Sequence, residues 1–282
     1  MFNKLIFYSH YGNGDLFESR EFIRDIKNLI PAKVYSYAHG KPKRMFKDIP
    51  WLDYMQVDSK MEMRSPSKII DNCLYINTWI GRDSKYVLPQ IGCVIENSHR
   101  MFNDILRPYN VQLSKDIYEY LPEIDNFYFD YFKPETTKNV LFCNGHVQSH
   151  QAANFDFSSV IRSLGYIFPT RTFYITTDIP EKLDNIIFTG DYITTPDGFD
   201  LNEIACFAQY CDIIIGRKSG PAVFAHTKDT WYSDKISLSF TYAKTSSHFV
   251  LSDHLPLKKR WSPEIEHDKI LIDCIKAING KV

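Results

Sequence analysis

Residues 211–226 read CDIIIGRKSGPAVFAH. Three consecutive isoleucines, Ile213 to Ile215, form a β-branched run of strand length, the pattern of a strand buried on both faces. The run ends in Gly216. Two cations follow, Arg217 and Lys218, then Ser219, Gly220 and Pro221, and then a segment with helical character. Each residue suits a strand-to-helix turn that meets a ligand. Gly220 lets backbone approach closely, and Pro221 fits the first helical position, where its missing N–H costs nothing. Ser219 offers an N-cap hydroxyl, and the cations favour an anion at the helix start. The competing reading is a well-capped helix flanked by surface charges.

Working outward, the same grammar fills the second half of the chain. "NVLFCNG" (139–145) reads as a strand ended by glycine, "FDFSSVIRSLGYIF" (155–168) as a helix, and "RTFYITTD" (171–178) and "NIIFTG" (185–190) as strands. "FDLNEIACFAQYC" (199–211) reads as the helix feeding the isoleucine strand. "SPEIEHDKILIDCIKAING" (262–280) reads as a closing helix with a Ser-Pro start and a Gly stop. Upstream, "FKPETTKN" (132–139) has no apolar period and reads as a linker. Before it, "KLIFYSH" (4–10) is a strand, "LFESREFIRDIKNLI" (16–30) an amphipathic helix, "AKVYSYAH" (32–39) a strand and "NCLYINTWIG" (72–81) another. Residues 90–107 have helical spacing, and "SKDIYEYLPEI" (114–124) reads as a shorter helix. Strand, Gly loop, helix, strand is a βαβ unit and favours a parallel sheet. The expectation is α/β, with two Rossmann-like domains, 1–135 and 136–282.

In open parallel sheets ligands bind beyond the carboxyl ends of the strands. Three loops there carry polar groups: "SHYGNGD" (9–15), "CNGHVQSH" (143–150) and "GRKSGP" (216–221). In the first, Gly12 and Gly14 allow a tight loop, and Asp15 reads as the N-cap of the following helix, with Glu18 completing a capping box. His10 is a candidate base, because its ordinary pKa lies nearer neutrality. His146 and His150, four apart, would share a metal only if the segment were helical, and it reads as a loop. The role of His226 stays open. "LKKRW" (257–261) reads as solvated surface.

Composition narrows the classes. The chain has 282 residues, 44% of them apolar, with 33 Lys plus Arg against 34 Asp plus Glu. That near-neutral balance argues against a mainly electrostatic nucleic-acid binder. No apolar run approaches the about 20 residues of a membrane span. The start of the chain lacks a secretory leader's apolar core, so a cytoplasmic location is expected. The six cysteines form no CxxC pair, which reads as free thiols rather than a zinc site or disulfide framework.

"CDIIIGRKSGPAVFAH" resembles the nucleotide-binding segment of GT-B glycosyltransferases, in particular the heptosyltransferase-like group, which has a strand, Ser/Thr-Gly-Pro and a helix. "YGNGDLFESREFIRDI" (11–26) resembles that group's first loop and helix. "DIPWLDYMQVDS" (48–59) and "LYINTWIGRDSK" (74–85) fall at its second and third strand units, and "NVLFCNGHVQSH" at the start of its second domain. Two departures stand out. Lys218 occupies the place where the group usually has Asp, and His146, Gln148 and His150 replace a Lys- or Arg-bearing loop.

The resemblance implies two Rossmann-like domains facing a central cleft, with the C-terminal helix packing back on the N-terminal domain. It implies transfer of a sugar from a nucleotide-sugar to an acceptor hydroxyl, without metal or cofactor. Asp15 matches the group's base. Gly14, Asn144, Gly145, His146, Arg217, Lys218, Ser219 and Gly220 would meet the donor phosphates. The expected acceptor is a saccharide. One alternative is a phage-type enzyme acting on hydroxymethylated bases of DNA, in the host cytoplasm. Another is a GT-B-like protein that binds nucleotide or glycan without catalysis.

Overall fold

The structure, a computed structural model, describes residues 1–10, 12–86, 94–125, 138–148, 152–218, 220–241 and 255–281. The chain divides into two compact units between Glu123 and Ile124. Residues 132–137 of the expected linker lie outside the described residues, as do Ser219, His150 and Cys93.

The first unit contains β1 (Phe2–Tyr8), α1 (Asn13–Glu18), α2 (Arg20–Leu29), β2 (Ala32–Ala38), β3 (Leu52–Met55), β4 (Ser67–Ile70), β5 (Cys73–Asn77) and α3 (Val94–Leu106). The strand order is β3-β2-β1-β5-β4. All neighbours are parallel except β4, which pairs antiparallel with β5. The β4–β5 turn is Asp71-Asn72, both at positive φ (49° and 59°), the backbone of a two-residue hairpin. The single helix expected over 16–30 is broken at Ser19, whose hydroxyl donates to the Leu16 carbonyl (2.8 Å). Serine competes with the helix ladder in this way. On α2, Phe22 stacks on Phe102 and Tyr120 (centroids 4.7 and 4.4 Å). Its polar side is buried too. The Asp25 carboxylate accepts from the Ser114 N–H (2.9 Å), the Ser114 hydroxyl and the Tyr120 hydroxyl (2.6 Å). That grip explains why the expected helix at 114–124 shortens to a 3-10 turn at 117–120.

The second unit contains β6 (Asn139–Cys143), α4 (Ser158–Ile167), β7 (Thr172–Ile175), β8 (Ile186–Phe188), α5 (Leu201–Phe207), β9 (Ile213–Arg217), α6 (Gly220–Phe224), α7 (Lys228–Trp231), β10 (Ile236–Phe240), β11 (Lys258–Ser262) and α8 (His267–Ile278). Its sheet is parallel throughout, in the order β11-β10-β9-β6-β7-β8. Numbered from β6, that is 3-2-1-4-5-6 read from β8, the Rossmann order. Every residue of β6 and β9 is buried, as expected for central strands covered on both faces. At Gly216 a Cβ would lie 2.5 Å from the Cβ of Cys143 and 2.7 Å from its carbonyl oxygen. The glycine lets the two central strands come together.

One expectation is corrected here. "LKKRW" is not merely solvated surface, because residues 258–262 form the edge strand β11. Lysines are a common guard on such edges. Lys259 lies over the rings of Trp231 and Trp261 (4.1 and 4.5 Å). The C-terminal helix, α8, begins at His267 and buries its apolar face in the core of its own unit. Ile270, Cys274, Ala277 and Ile278 join the core of Val140, Phe142, Ile161 and Leu238. The five described cysteines are free thiols, four of them buried. Among the described residues no helix is long and apolar enough to cross a membrane.

Candidate functional site

Each sheet has one place where the chain reverses its strand order, and ligands of open α/β sheets gather beyond the carboxyl ends there. In the second unit that place lies between β6 and β9, where Cys143 pairs with Gly216. The loops leaving it are 144–148 and the turn at Lys218, which are the loops singled out from the sequence.

The side chains divide in a way the sequence reading did not foresee. Asn144 is buried. Its amide nitrogen donates to the Thr177 carbonyl (2.7 Å), and its amide oxygen accepts from the Thr177 N–H (2.9 Å). The pair copies a strand ladder and ties the loop after β6 to the loop after β7. Arg217 is fully buried. Its guanidinium donates to the carbonyls of Ala153 (2.8 Å), Asn144 (2.6 Å), Gly145 (3.0 Å) and Phe155. It also stacks on the rings of Phe155 and Phe157 (4.7 and 4.5 Å). Burial lowers its pKa to about 10. Both residues are therefore corrected from phosphate contacts to struts: their hydrogen-bonding groups are directed at the protein's own backbone. Gly145 packs beside Thr177, whose Oγ1 would be 3.2 Å from an added Cβ. His146 is exposed, Lys218 is half-buried, and Gly220 opens α6 with ordinary room around it. The backbone N–H of Lys218 donates to Phe240 (3.1 Å).

His226 belongs to the core. Its Nδ1–H donates to the Ala222 carbonyl, so its Nε2 accepts from the Ser237 hydroxyl (2.7 Å). Burial, with the Lys259 charge adding to it, lowers its pKa to about 3.

In the first unit the reversal lies between β1 and β5, where Tyr8 pairs with Asn77. Asp15 sits beyond it, in the first turn of α1. The N-cap is Gly12, so the reading of Asp15 as N-cap with a Glu18 capping box is corrected. A carboxylate in the first turn is still favoured by the helix dipole. Asp15 lines a crevice with Glu18, Ser19, Thr78, Ile80, Ser98 and Phe102. Buried hydroxyls connect its walls. Ser19 Oγ lies 3.0 Å from the Tyr37 hydroxyl, which lies 2.5 Å from Thr78 Oγ1, and Thr78 can donate to the Tyr8 carbonyl (3.2 Å). Burial above all, and the Asp15 charge as a lesser cause, raise the pKa of Tyr37. This chain of hydroxyls was missed. The available signal was Thr78's place one residue past β5, at the reversal. His10 is exposed, edge-on to Tyr8 (5.8 Å), and does not line the crevice. Gly14 lies between Asn13 and Asp15 in α1.

Two Rossmann-like α/β units are the make-up of the GT-B fold. Solved structures similar to this chain include two heptosyltransferases and a glycosyl transferase family 9 protein. E. coli heptosyltransferase WaaC, solved with ADP-2-deoxy-2-fluoro heptose, matches with a TM-score of 0.58 over 99% of both chains at 7% identity. A glycosyl transferase family 9 protein of Veillonella parvula matches at 0.53, over 99% of this chain and 97% of that one, at 12% identity. The dodecameric, iron-containing heptosyltransferase TibC, solved with ADP-D-beta-D-heptose, matches at 0.55, over 94% of this chain and 64% of that one, at 9% identity. At these identities the likeness is one of fold. No family model and no curated protein sequence matches the chain. Among the described residues no group of three or more His, Cys, Asp or Glu side chains is arranged to hold a metal.

Proposed function

We propose that this protein is a glycosyltransferase that moves a sugar from a nucleotide-sugar to an acceptor hydroxyl, with Asp15 as the base. The observation that carries the reading is the Rossmann strand order of the second sheet, with the 144–148 loop and Lys218 at its reversal. A carboxylate at the reversal of the first sheet supports the base assignment. Asp15 takes the acceptor proton as that oxygen bonds to the anomeric carbon. The bond from this carbon to the diphosphate oxygen breaks, and the nucleoside diphosphate leaves with the electron pair. Lys218 and the backbone at 145–146 and 220 meet the charge on the leaving group, with no metal needed. Asn144 and Arg217 hold those loops rather than touch the phosphates. Ser219 is assigned to the donor by its sequence position alone, between Lys218 and Gly220. We assign a saccharide acceptor, and the near-neutral net charge weighs against DNA.

A thermal-shift screen with ADP, GDP, UDP and their sugar conjugates tests the donor half. A ligand at about 100 times its Kd should stabilise the chain by about 2.7 kcal/mol. Lys218→Ala should then weaken that ligand about tenfold to a hundredfold, the loss of one charge-assisted hydrogen bond of about 1.5–3 kcal/mol. If no nucleotide moves the melting temperature, the donor reading is wrong.

A further inference from the structure

Arg82 lies in the 3-10 turn at 80–82 that follows β5, and only 8% of it is exposed. A guanidinium taken that far out of water normally finds a carboxylate or several carbonyls. The two other deeply buried arginines do so. Arg20 pairs with Asp48 and donates to the Met45 and Glu123 carbonyls, and Arg217 has its four carbonyls. Arg82 has no such partner among the described residues. Its Nε–H is buried without an acceptor, and its guanidinium rests on the face of Tyr86 (5.2 Å).

The neighbouring carboxylates are engaged elsewhere. Asp104 is held by Arg107 (2.6 Å), Lys85 (3.3 Å) and the Tyr86 hydroxyl (2.6 Å). Asp83 accepts from the Lys85 N–H (3.0 Å). Tyr8, close enough to feel the Arg82 charge, is itself raised to about 12 by burial, so it is a neutral phenol at working pH. The turn that carries Arg82 is built closely. The Trp79 N–H donates to Asn77 Oδ1 (2.9 Å), the Asn77 amide donates to the Met63 carbonyl (2.8 Å), and the Arg82 N–H donates to the Trp79 carbonyl (3.3 Å). The Trp79 indole lies so close over Gly81 that a Cβ there would be 2.5 Å from the ring. Ile80, two residues before Arg82, lines the Asp15 crevice.

We propose that Arg82 binds an oxyanion, a carboxylate or phosphate, carried by the acceptor. A planar guanidinium with uncommitted N–H groups is the side chain best suited to grip such a group in two-point fashion. The bound anion supplies the counter-charge that the protein omits, and it brings an acidic acceptor to the crevice of the proposed base. The word acceptor rests on the function proposed above, whereas the anion site itself does not.

The test uses the full chain labelled with nitrogen-15. The Nε–H resonance of Arg82 is assigned by its loss in Arg82→Met. Inorganic phosphate and acetate are then titrated separately at constant ionic strength. The expected result is a saturable shift of that resonance with at least one anion, and the responding anion tells phosphate from carboxylate. Arg82→Met should melt at or near the wild-type temperature, because the variant also sheds an unpaired buried charge. Arg82→Lys, which keeps the charge and loses the fork, should show a weaker anion-induced rise in melting temperature than wild type. A resonance that neither anion moves would overturn the proposal, as would an Arg82→Met protein melting many degrees below wild type, which would mark the guanidinium as a strut. Failure of nucleotide binding would leave a moving Arg82 resonance standing, and a static resonance would leave sugar transfer standing.

Discussion

Replacing Asp15 by Asn separates proton affinity from shape. The variant keeps the size of the side chain and its place in the first turn of α1, where Gly12 rather than Asp15 is the N-cap. Two consequences follow, and they have different sizes. The first is structural. A negative charge leaves the positive end of a short helix, which costs about 0.3–1 kcal/mol for a half-exposed group. For a chain of this size that is a fall of about 1–4 °C in melting temperature. The second is chemical. An amide takes up no proton at working pH, so a general base is lost, and kcat should fall about 10²- to 10⁴-fold.

The assay is transfer from the nucleotide-sugar identified by the screen, with kcat and donor KM measured separately. Donor KM should stay within a few-fold, because the groups assigned to the donor lie in the second unit. A kcat within a few-fold of wild type, with the small melting shift present, would refute the assignment and leave Asp15 as a dipole partner. His10→Gln is the companion measurement. His10 stands exposed beside Tyr8 and outside the crevice, so its replacement should leave kcat near normal.

Two further outcomes concern the frame of the donor loops. Arg217→Lys keeps a positive charge but cannot reach four carbonyls at once. The buried acceptors left without a donor should cost about 2–4 kcal/mol in urea denaturation, and a loss below about 0.5 kcal/mol would show the clamp to be idle. His226 has a folded pKa near 3 against about 6.5 in the unfolded chain, so the unfolded state takes up the proton first. The stability this confers is complete above about pH 6.5 and is lost as pH falls towards 3, with about 2 kcal/mol gone at pH 5. His226→Gln should flatten the pH 7 to pH 5 dependence by about that amount, and an unchanged slope would contradict the burial argument. His39, buried and lowered to about 4 by the same cause, leaves a residual slope of the same sign.

Periodicity made most of the fold legible. The strand runs 4–10, 32–39, 139–145 and 212–216 correspond to β1, β2, β6 and β9, and the glycine loops between strand and helix marked both reversals. What stayed hidden lacked a local signal or was overruled by packing. β4 is only four residues long and is set by the Asp71-Asn72 turn, a hairpin signal that was passed over. β11 reads as surface because an edge strand carries surface residues. The break at Ser19 is a side-chain bond to a carbonyl, invisible to a hydrophobic count over 16–30.

The roles of Asn144 and Arg217 were misassigned for a different reason, and strand parity could have corrected it. Side chains along a strand alternate between faces. Ile213 and Ile215 lie in the core of the second unit, so Arg217, next in that register, enters the same layer and meets Phe155 and Phe157 there. Val140 and Phe142 lie in that core too, and Asn144 follows them inward to Thr177. A polar residue at the last inward position of a strand cannot reach solvent without leaving the register, so it satisfies backbone instead. The residues one step further, Gly145 and Lys218, are the first to escape that constraint. The end of each strand therefore divides the chain in two: an inner polar residue that fixes the loop's shape, and outer groups that the fixed shape presents. On this argument a change at Arg217 should reach the ligand only through the loop's geometry, while a change at Lys218 should reach it directly and leave the fold alone.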